Sequence, residues 1–513
     1  MKVLVTGGTG VVGAAAVRSL LAAGHSVRLF SRHARRDAER WQGSDVTEKE
    51  GSAANASEVA GAAEGCDAVL HVAGIVEERP PQVTFEAVNV GGTRNLLAEA
   101  EVAGVKRFVH VSSLGADQGA SAYHASKRQA EELVRRFPGD WLIVRPGNVY
   151  GPGDEVLSYL LQVVRTAPAV PVIEGGDQPF QPLYAEDLGA ALAVAVTRTN
   201  LSRQVLLLAG PEVTTTQDVL DRLARLTGRD PVRLPVPGAL AALGAQAASL
   251  LGVRVPLNDD KVTMLREGNV IPPGEVNALT EVLGVTPIPL DEGLRRLAST
   301  QPEQLQGTGT LTRRRYWAFL AGVQRTPQDL FSEFRRRFFE LVPESTVRNA
   351  EETAKLEPGS VLTLSLPFRG NVQIRIVEVT DTELTLVTVA GHPLAGSNTF
   401  RFAGTPGVDL RFEVETCDRS ATLLDELAMV PFGGFMKRFT WTTVVEETAR
   451  MAGALPPVEI QTEEHPLAGE EEKAAMADLE KRVGSLARQD ERELQEEARA
   501  RLERLEEIAV RRI

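Results

Sequence analysis

Residues 2–22 read KVLVTGGTGVVGAAAVRSLLA, an apolar strand running directly into a glycine-rich turn and then into an alanine-rich helix. In that setting each glycine has its own physical use. Gly7 permits the tight turn, Gly10 lets the backbone approach a pyrophosphate, and Gly13 lets the helix pack close to the strand. Thr9 and Val11 complete the loop, and the first helical amides present the positive end of the helix dipole to an anion. A glycine-rich turn of purely structural use is the competing reading. The position between the first strand and the first helix favours the nucleotide.

Further along, SVRLFSR, AVLHVAG, RFVHVSS and WLIVRPG are separated by longer helical stretches such as NVGGTRNLLAEAEVAG. Apolar strands alternating with helices predict an α/β unit with a doubly wound parallel sheet over about residues 1–200. Residues 205–300, with helices near 216–227 and 287–298, are expected to cap it as a small substrate lobe, so that 1–300 form the first domain. The polar, glycine-bearing stretch 301–312 reads as a linker. Residues 313–342 read as helical, with seven arginines by position 337 and Phe331, Phe334, Phe338 and Leu341 as an apolar stripe. Such a helix either lies on an anionic membrane or a partner, or packs its stripe on the strands that follow; the second reading is preferred. Alternating runs over 360–416 predict an antiparallel meander and a helix follows from about Lys437 to Ala452, giving an α+β domain over 313–455. From 470 to 513, Leu479, Val483 and Leu486, and again Leu494, Ala498, Leu502 and Leu505, recur at helical spacing among dense charges: a charged amphipathic helix of coiled-coil character.

The length of 513 residues argues for about three structural units. With 43% hydrophobic and 24% charged residues the chain can bury sizeable cores. A net charge of -13 gives no field that attracts nucleic acid or anionic lipid. The two cysteines, Cys66 and Cys417, lie too far apart for a disulfide framework or a thiolate metal site, which fits a reducing cytoplasm. The N-terminus enters a strand at once, without the pattern of a cleaved signal. The uncharged run Leu234 to Val253 holds two prolines and three glycines and reads as a packed helix rather than a membrane span.

The second strand ends at Arg32, where a site selective for NAD would place a carboxylate on the ribose diol. Arg32, with Arg35 and Arg36 behind it, offers a guanidinium to a 2'-phosphate, so NADP(H) is expected over NAD(H); a solvated basic loop is the alternative. Asp45 and Val46 are expected in a loop that contacts adenine. Tyr123 and Lys127, four residues apart, share one helix face. The ammonium favours the phenolate of a residue that is otherwise a poor base at neutral pH. Ser112 and Ser113 end the strand RFVHVSS and reach the same cleft. His71, His110 and His124 lack metal-ligand spacing and read as core or surface residues; no metal is expected.

With TGGTGVVG at 6–13, HVAG at 71–74, NVGGT at 89–93, VSSLGA at 111–116, YHASK at 123–127 and RPGNVYGPGD at 145–154, residues 1–300 resemble the short-chain dehydrogenase/reductase superfamily in its extended or atypical branch, the NAD-dependent epimerase/dehydratase type. GGDQPFQPLYAEDLGAAL and VTMLREGNVI are most similar to the NAD(P)H-binding accessory subunit of respiratory complex I and its free-standing bacterial relatives. The resemblance implies a Rossmann sheet in which Ser113 positions a substrate oxygen, Tyr123 moves the proton, and Lys127 lowers the tyrosine pKa and holds the nicotinamide ribose. It also implies that Asn89 supports the active-site backbone, that Ala73 and Gly74 line the cofactor, and that Pro146, Asn148 and Val149 border the nicotinamide. Asp187 resembles a structural acidic position of the superfamily. GHPLAGSNTFRF at 391–402 resembles a poorly characterised bacterial domain family, DUF1990, with His392 read as a turn histidine rather than a ligand contact.

The expected function is an NADP(H)-dependent oxidoreductase or epimerase acting on a carbonyl or alcohol of unidentified structure. The alternative is a non-catalytic NADPH-binding module that recruits a protein or membrane partner; an oligomer is compatible with either.

Overall fold

A computed structural model describes residues 1–167, 169–237, 263, 269–301, 303–343, 348–349, 356–366, 370–429 and 433–511. The helix expected over Leu234–Val253 lies mostly outside them, although Val232–Val236 is a short strand. Among the described residues no helix is long and apolar enough to cross a membrane.

The first unit is built on seven parallel strands: β1 (Lys2–Thr6), β2 (Ser26–Ser31), β3 (Val46–Glu50), β4 (Ala68–His71), β5 (Arg107–Val111), β6 (Asp140–Pro146) and, after the short strands β7 (Val149–Tyr150), β8 (Ala169–Ile173) and β9 (Leu183–Tyr184), β10 (Gln204–Leu208). Their order is β10-β6-β5-β4-β1-β2-β3. The strands β1, β4, β5 and β6 are largely apolar and buried on both faces because helices cover them: Val3, Val5, Leu70, Val109, Leu142 and Val144 point to one core, and Leu4, Val69, Phe108 and Ile143 to the other. Residues 204–208 therefore complete this sheet and do not belong to the lobe. The lobe pairs β8 with β11 (Val232–Val236) and packs the helices Leu157–Thr166, Thr216–Thr227 and Leu290–Ser299 around Leu161, Leu220 and Leu294.

The second unit is an eight-stranded antiparallel sheet: β12 (Thr308–Phe319), β13 (Arg348–Asn349), β14 (Val361–Leu366), β15 (Gly370–Val379), β16 (Glu383–Thr388), β17 (Leu394–Ala403), β18 (Arg411–Ser420) and β19 (Gln461–Pro466), ordered β13-β14-β15-β16-β17-β18-β12-β19. Its apolar face closes on the helices Pro327–Leu341 and Gly433–Ala452 through Phe331, Phe334, Phe338, Phe400, Phe402 and Phe412. The helix expected from 313 is thus a strand up to Phe319, and the stretch read as linker already enters β12 at Thr308. The arginine run survives in a strand because its charges meet acids on both neighbours: Arg315 on Glu415 at 2.8 Å and Arg314 on Glu464 at 3.0 Å.

Among the described residues the helix Glu470–Arg511 packs on the helix Val11–Ala22 and on both units. Leu479 and Leu486 pack on Val377 and Val387 of the second sheet, and further along Leu505 joins the core of the first unit. One helix therefore lies against both units.

Candidate active site

Because β1, β4, β5 and β6 are parallel neighbours, Thr6, His71, Val111 and Pro146 end along one edge of the sheet. The strand order runs outward in both directions from the β1–β4 pair, which opens a crevice there. Gly7 takes φ +68°, a backbone state open to glycine, and a Cβ on Gly13 would sit 2.0 Å from the Gly7 carbonyl oxygen. At Gly10 a Cβ would meet nothing nearer than that same oxygen at 3.6 Å, so the loop is open on this side. Among the described residues no side chain caps the helix Val11–Ala22 that starts here, leaving its first N–H groups for an anion. Thr9 is exposed at the loop tip and Val11 is half-buried. These features fit a dinucleotide pyrophosphate.

The crevice wall is tied together by polar side chains. The Ala73 N–H donates to Thr6 Oγ1 at 3.2 Å, and Thr6 Oγ1 lies 2.8 Å from His71 Nδ1. Thr93 Oγ1 donates to the Asn89 carbonyl at 2.7 Å and lies 3.0 Å from His71 Nε2. The Thr93 proton being spent on Asn89, His71 carries its own proton on Nε2 and accepts at Nδ1. Burial, with the Lys127 charge adding to it, pushes the His71 pKa down to about 3 and keeps the ring neutral. Asn89, set in a π-helical turn, Glu86–Gly91, accepts from the Ile75 N–H at 2.9 Å and donates to the Ile75 carbonyl at 3.0 Å and to Ser126 Oγ at 2.9 Å. It thereby fixes the backbone beyond Gly74, where a Cβ would come within 3.1 Å of Lys127 Nζ.

Tyr123 and Lys127 lie on the helix Ala122–Val134, whose N-cap Ser121 accepts from the His124 N–H at 3.1 Å. Both side chains are buried. Burial raises the Tyr123 pKa to about 12 against the opposing hydrogen bond from Ser113. The phenol is therefore protonated, a general acid before it is a base. Lys127 donates to the Val111 carbonyl at 3.0 Å, with Nζ 6.0 Å from the centre of the Tyr123 ring. Burial lowers its pKa to about 8, and Glu131, one turn on, opposes that shift. Desolvation of the phenol thus outweighs the lowering expected from Lys127.

Ser113, Tyr123, Lys127 and Asn89 come together as the sequence suggested. Arg32 stands exposed immediately after β2. Pro146 ends β6, and Asn148 and Val149 follow at the same edge, with the Asn148 amide oxygen buried and without a hydrogen-bond partner among the described residues. Asp45 and Val46 are misplaced by the sequence reading. Asp45 precedes β3, its carboxylate held by the Ser26 hydroxyl, and Val46 pairs with Val27. Both are at the opposite edge of the sheet; the loop on the cofactor side begins at Gly51.

Ser126, Glu131 and Arg145 went unread in the sequence, and His124, read there as a core or surface residue, stands beside Ser113. His124 Nε2 lies 3.5 Å from Ser113 Oγ, Ser126 bonds Asn89, and Glu131 receives Arg145 at 2.8 and 2.7 Å and Ser112 at 2.7 Å. The carboxylate is fully buried and locks the catalytic helix to β6. Its signal was the four-residue spacing from Lys127 to Glu131.

Residues 3–207 match the NAD dependent epimerase/dehydratase family. A ceramide reductase of Caulobacter vibrioides is 34% identical over 246 residues, covering 47% of this chain and 75% of that protein. Sterol demethylase protein B of Methylococcus capsulatus is 34% identical over 268 residues, covering 47% of this chain and 79% of that protein. The Arabidopsis thaliana mitochondrial NADH dehydrogenase [ubiquinone] 1 alpha subcomplex subunit 9 is 30% identical over 179 residues, covering 34% of this chain and 44% of that protein. With the glycine loop, the tyrosine–lysine helix and these relatives in agreement, the chain belongs to the NAD dependent epimerase/dehydratase family.

Proposed function

We propose that the protein is an NADP(H)-dependent oxidoreductase that interconverts a carbonyl and an alcohol, Tyr123 handling the proton. The observation that carries this reading is the buried Tyr123, hydrogen-bonded to Ser113 and one helical turn from Lys127, at the sheet edge that holds the glycine loop. A bound nicotinamide nucleotide supplies hydride exchange with the reacting carbon. The chain does the rest. Ser113 orients the substrate oxygen, Tyr123 delivers its proton to that oxygen in reduction and recovers it in oxidation, and Lys127 steadies the phenolate and the nicotinamide ribose. Asn89 keeps the Gly74–Ile75 backbone in place, and the exposed Arg32 meets the 2'-phosphate. The names of two relatives, a ceramide reductase and a sterol demethylase protein, support the reaction class but leave the substrate open.

A second reading, a nucleotide-holding module that serves a partner or membrane, draws on the relative named as a subunit of NADH dehydrogenase. Assay of the full chain with NADPH against a panel of ketones and aldehydes separates the two. Turnover of any member supports the enzyme; nucleotide binding with no turnover across the panel supports the module. Cofactor choice is tested by Arg32→Ala. Loss of a charged hydrogen bond worth about 1.5–3 kcal/mol should weaken NADPH at least about tenfold and leave NADH unchanged. Equal dissociation constants for the two cofactors in the unaltered protein would remove the NADP assignment.

A further inference from the structure

The loop that follows β2 leaves the sheet at Arg32 and returns to it through Trp41 and Ser44. Its return is held by a residue far away in the chain. Glu491, on the helix Glu470–Arg511 and 2% exposed, accepts from Arg40 Nε at 2.6 Å, from the Trp41 indole N–H at 3.1 Å and from Arg18 at 2.9 Å. Arg18 lies on the first helix and also pairs with Glu186. Two carboxylates and two guanidiniums thus neutralise one another in a cluster that is buried except at Arg40 on its rim, and Trp41, itself 2% exposed, satisfies its indole N–H there. Ser44 adds a contact to Gln495 at 3.5 Å. The front of the same loop carries the cations Arg32, Arg35 and Arg36, all exposed. Between Arg32 and Trp41 the segment forms the short helix Ala34–Ala38, tied to the end of β2 where the Ser31 hydroxyl donates to Asp37 at 2.6 Å, so the two ends of the segment are joined through one rigid turn of helix.

We infer that Glu491 is a positioning residue for cofactor discrimination: by anchoring Arg40 and Trp41 it sets the loop that presents Arg32 to the ribose 2'-phosphate. The inference rests on the NADPH reading above and adds to it the element that enforces the preference. Gln at 491 keeps the shape and loses the charge that holds Arg40 and Arg18. Phe at 41 keeps an aromatic ring in the core and loses the N–H.

Calorimetric titration of the full chain with adenosine 2',5'-bisphosphate and with adenosine 5'-monophosphate reads the adenosine end alone. Glu491→Gln should weaken the bisphosphate about tenfold and shift the monophosphate by less than about twofold. Should that variant fail to fold, Trp41→Phe should show a shift in the same direction. Arg501→Gln, which loosens the same helix where it holds Asp187, should leave the ratio of the two affinities as it was; a merely structural role for the helix would move the ratio there as well. An unaltered ratio in Glu491→Gln or, in its place, Trp41→Phe, or an equal shift in Arg501→Gln, overturns the inference while the NADPH reading stands. If the unaltered protein itself does not prefer the bisphosphate, the NADPH reading falls and takes the inference with it.

Discussion

At the scale of single residues the proposed chemistry hangs on two buried groups, Tyr123 and Lys127, whose pKa values burial shifts in opposite senses. Tyr123→Phe removes one hydroxyl from a close-packed site. Turnover should fall about 100- to 10,000-fold while NADPH affinity and melting temperature stay near those of the unaltered protein, as steady-state kinetics, nucleotide titration and calorimetry would report. Retained turnover would take Tyr123 out of the reaction. Lys127 gives a pH signature. Burial holds its pKa at about 8 against an ordinary 10.5, so kcat/KM should decline along an alkaline limb near pH 8 that Lys127→Met lacks. Stability should move the other way. Between about pH 8 and 10.5 the unfolded chain holds a proton on Lys127 that the folded chain has released, and folding therefore strengthens as pH rises through that window. Parallel pH–rate and pH–denaturation profiles check both signs at once. Tyr123, Lys127 and Ser113 were legible in the sequence because they sit at fixed short spacings. Glu131 was half legible, and its partner Arg145 was not, since only the packing of the catalytic helix on β6 brings them together.

At the scale of elements the strand–loop–helix of residues 2–22 is the least tolerant part of the chain. A methyl group at Gly13 would lie 2.0 Å from a backbone oxygen, and neither the loop nor the helix can give that much without losing the turn. Gly13→Ala should abolish nucleotide binding and cost about 1–3 kcal/mol in urea denaturation, the range for an overpacked interior; unchanged binding would mean that the helix can slide off the loop. This element was plain in the sequence because its apolar run and glycine spacing are local. Two others were hidden. The strand β3 reads VTEKE and is mostly exposed at the edge of the sheet, so no apolar alternation marks it, and Asp45 was assigned to the wrong end. The strand β12 carries Arg313, Arg314 and Arg315, which look like a solvated helix face until Glu415 and Glu464, about 100 and 150 residues later, are paired across from them. Long-range pairing leaves no periodic trace.

At the scale of the whole molecule the helix Glu470–Arg511 adds to the direct ties between the units, such as Asn371 on the Thr227 carbonyl and Arg375 on Glu303. It holds Glu491 and Arg501 against the first unit, and Leu479, Leu486 and Arg482 against the second, where Arg482 pairs with Glu378 and, at 3.3 Å, with Glu383. Limited proteolysis between Ala298 and Thr312 should therefore yield two fragments that still elute together in size-exclusion chromatography. The same cut in a chain shortened to residue 469 should release them. Fragments that part without the shortening would show the helix to be a weak tie.

The Trp41–Glu491 bond also has a meaning in time, because 450 residues separate its two ends. At a synthesis rate of about 5–20 residues per second, Trp41 is made on the order of 20–90 s before the residue that accepts the hydrogen bond from its indole N–H. Until then Trp41 and Arg40 lack the carboxylate they share, whereas Arg18 already has Glu186 to pair with. One segment of the first unit is thus completed by a residue made 450 positions later.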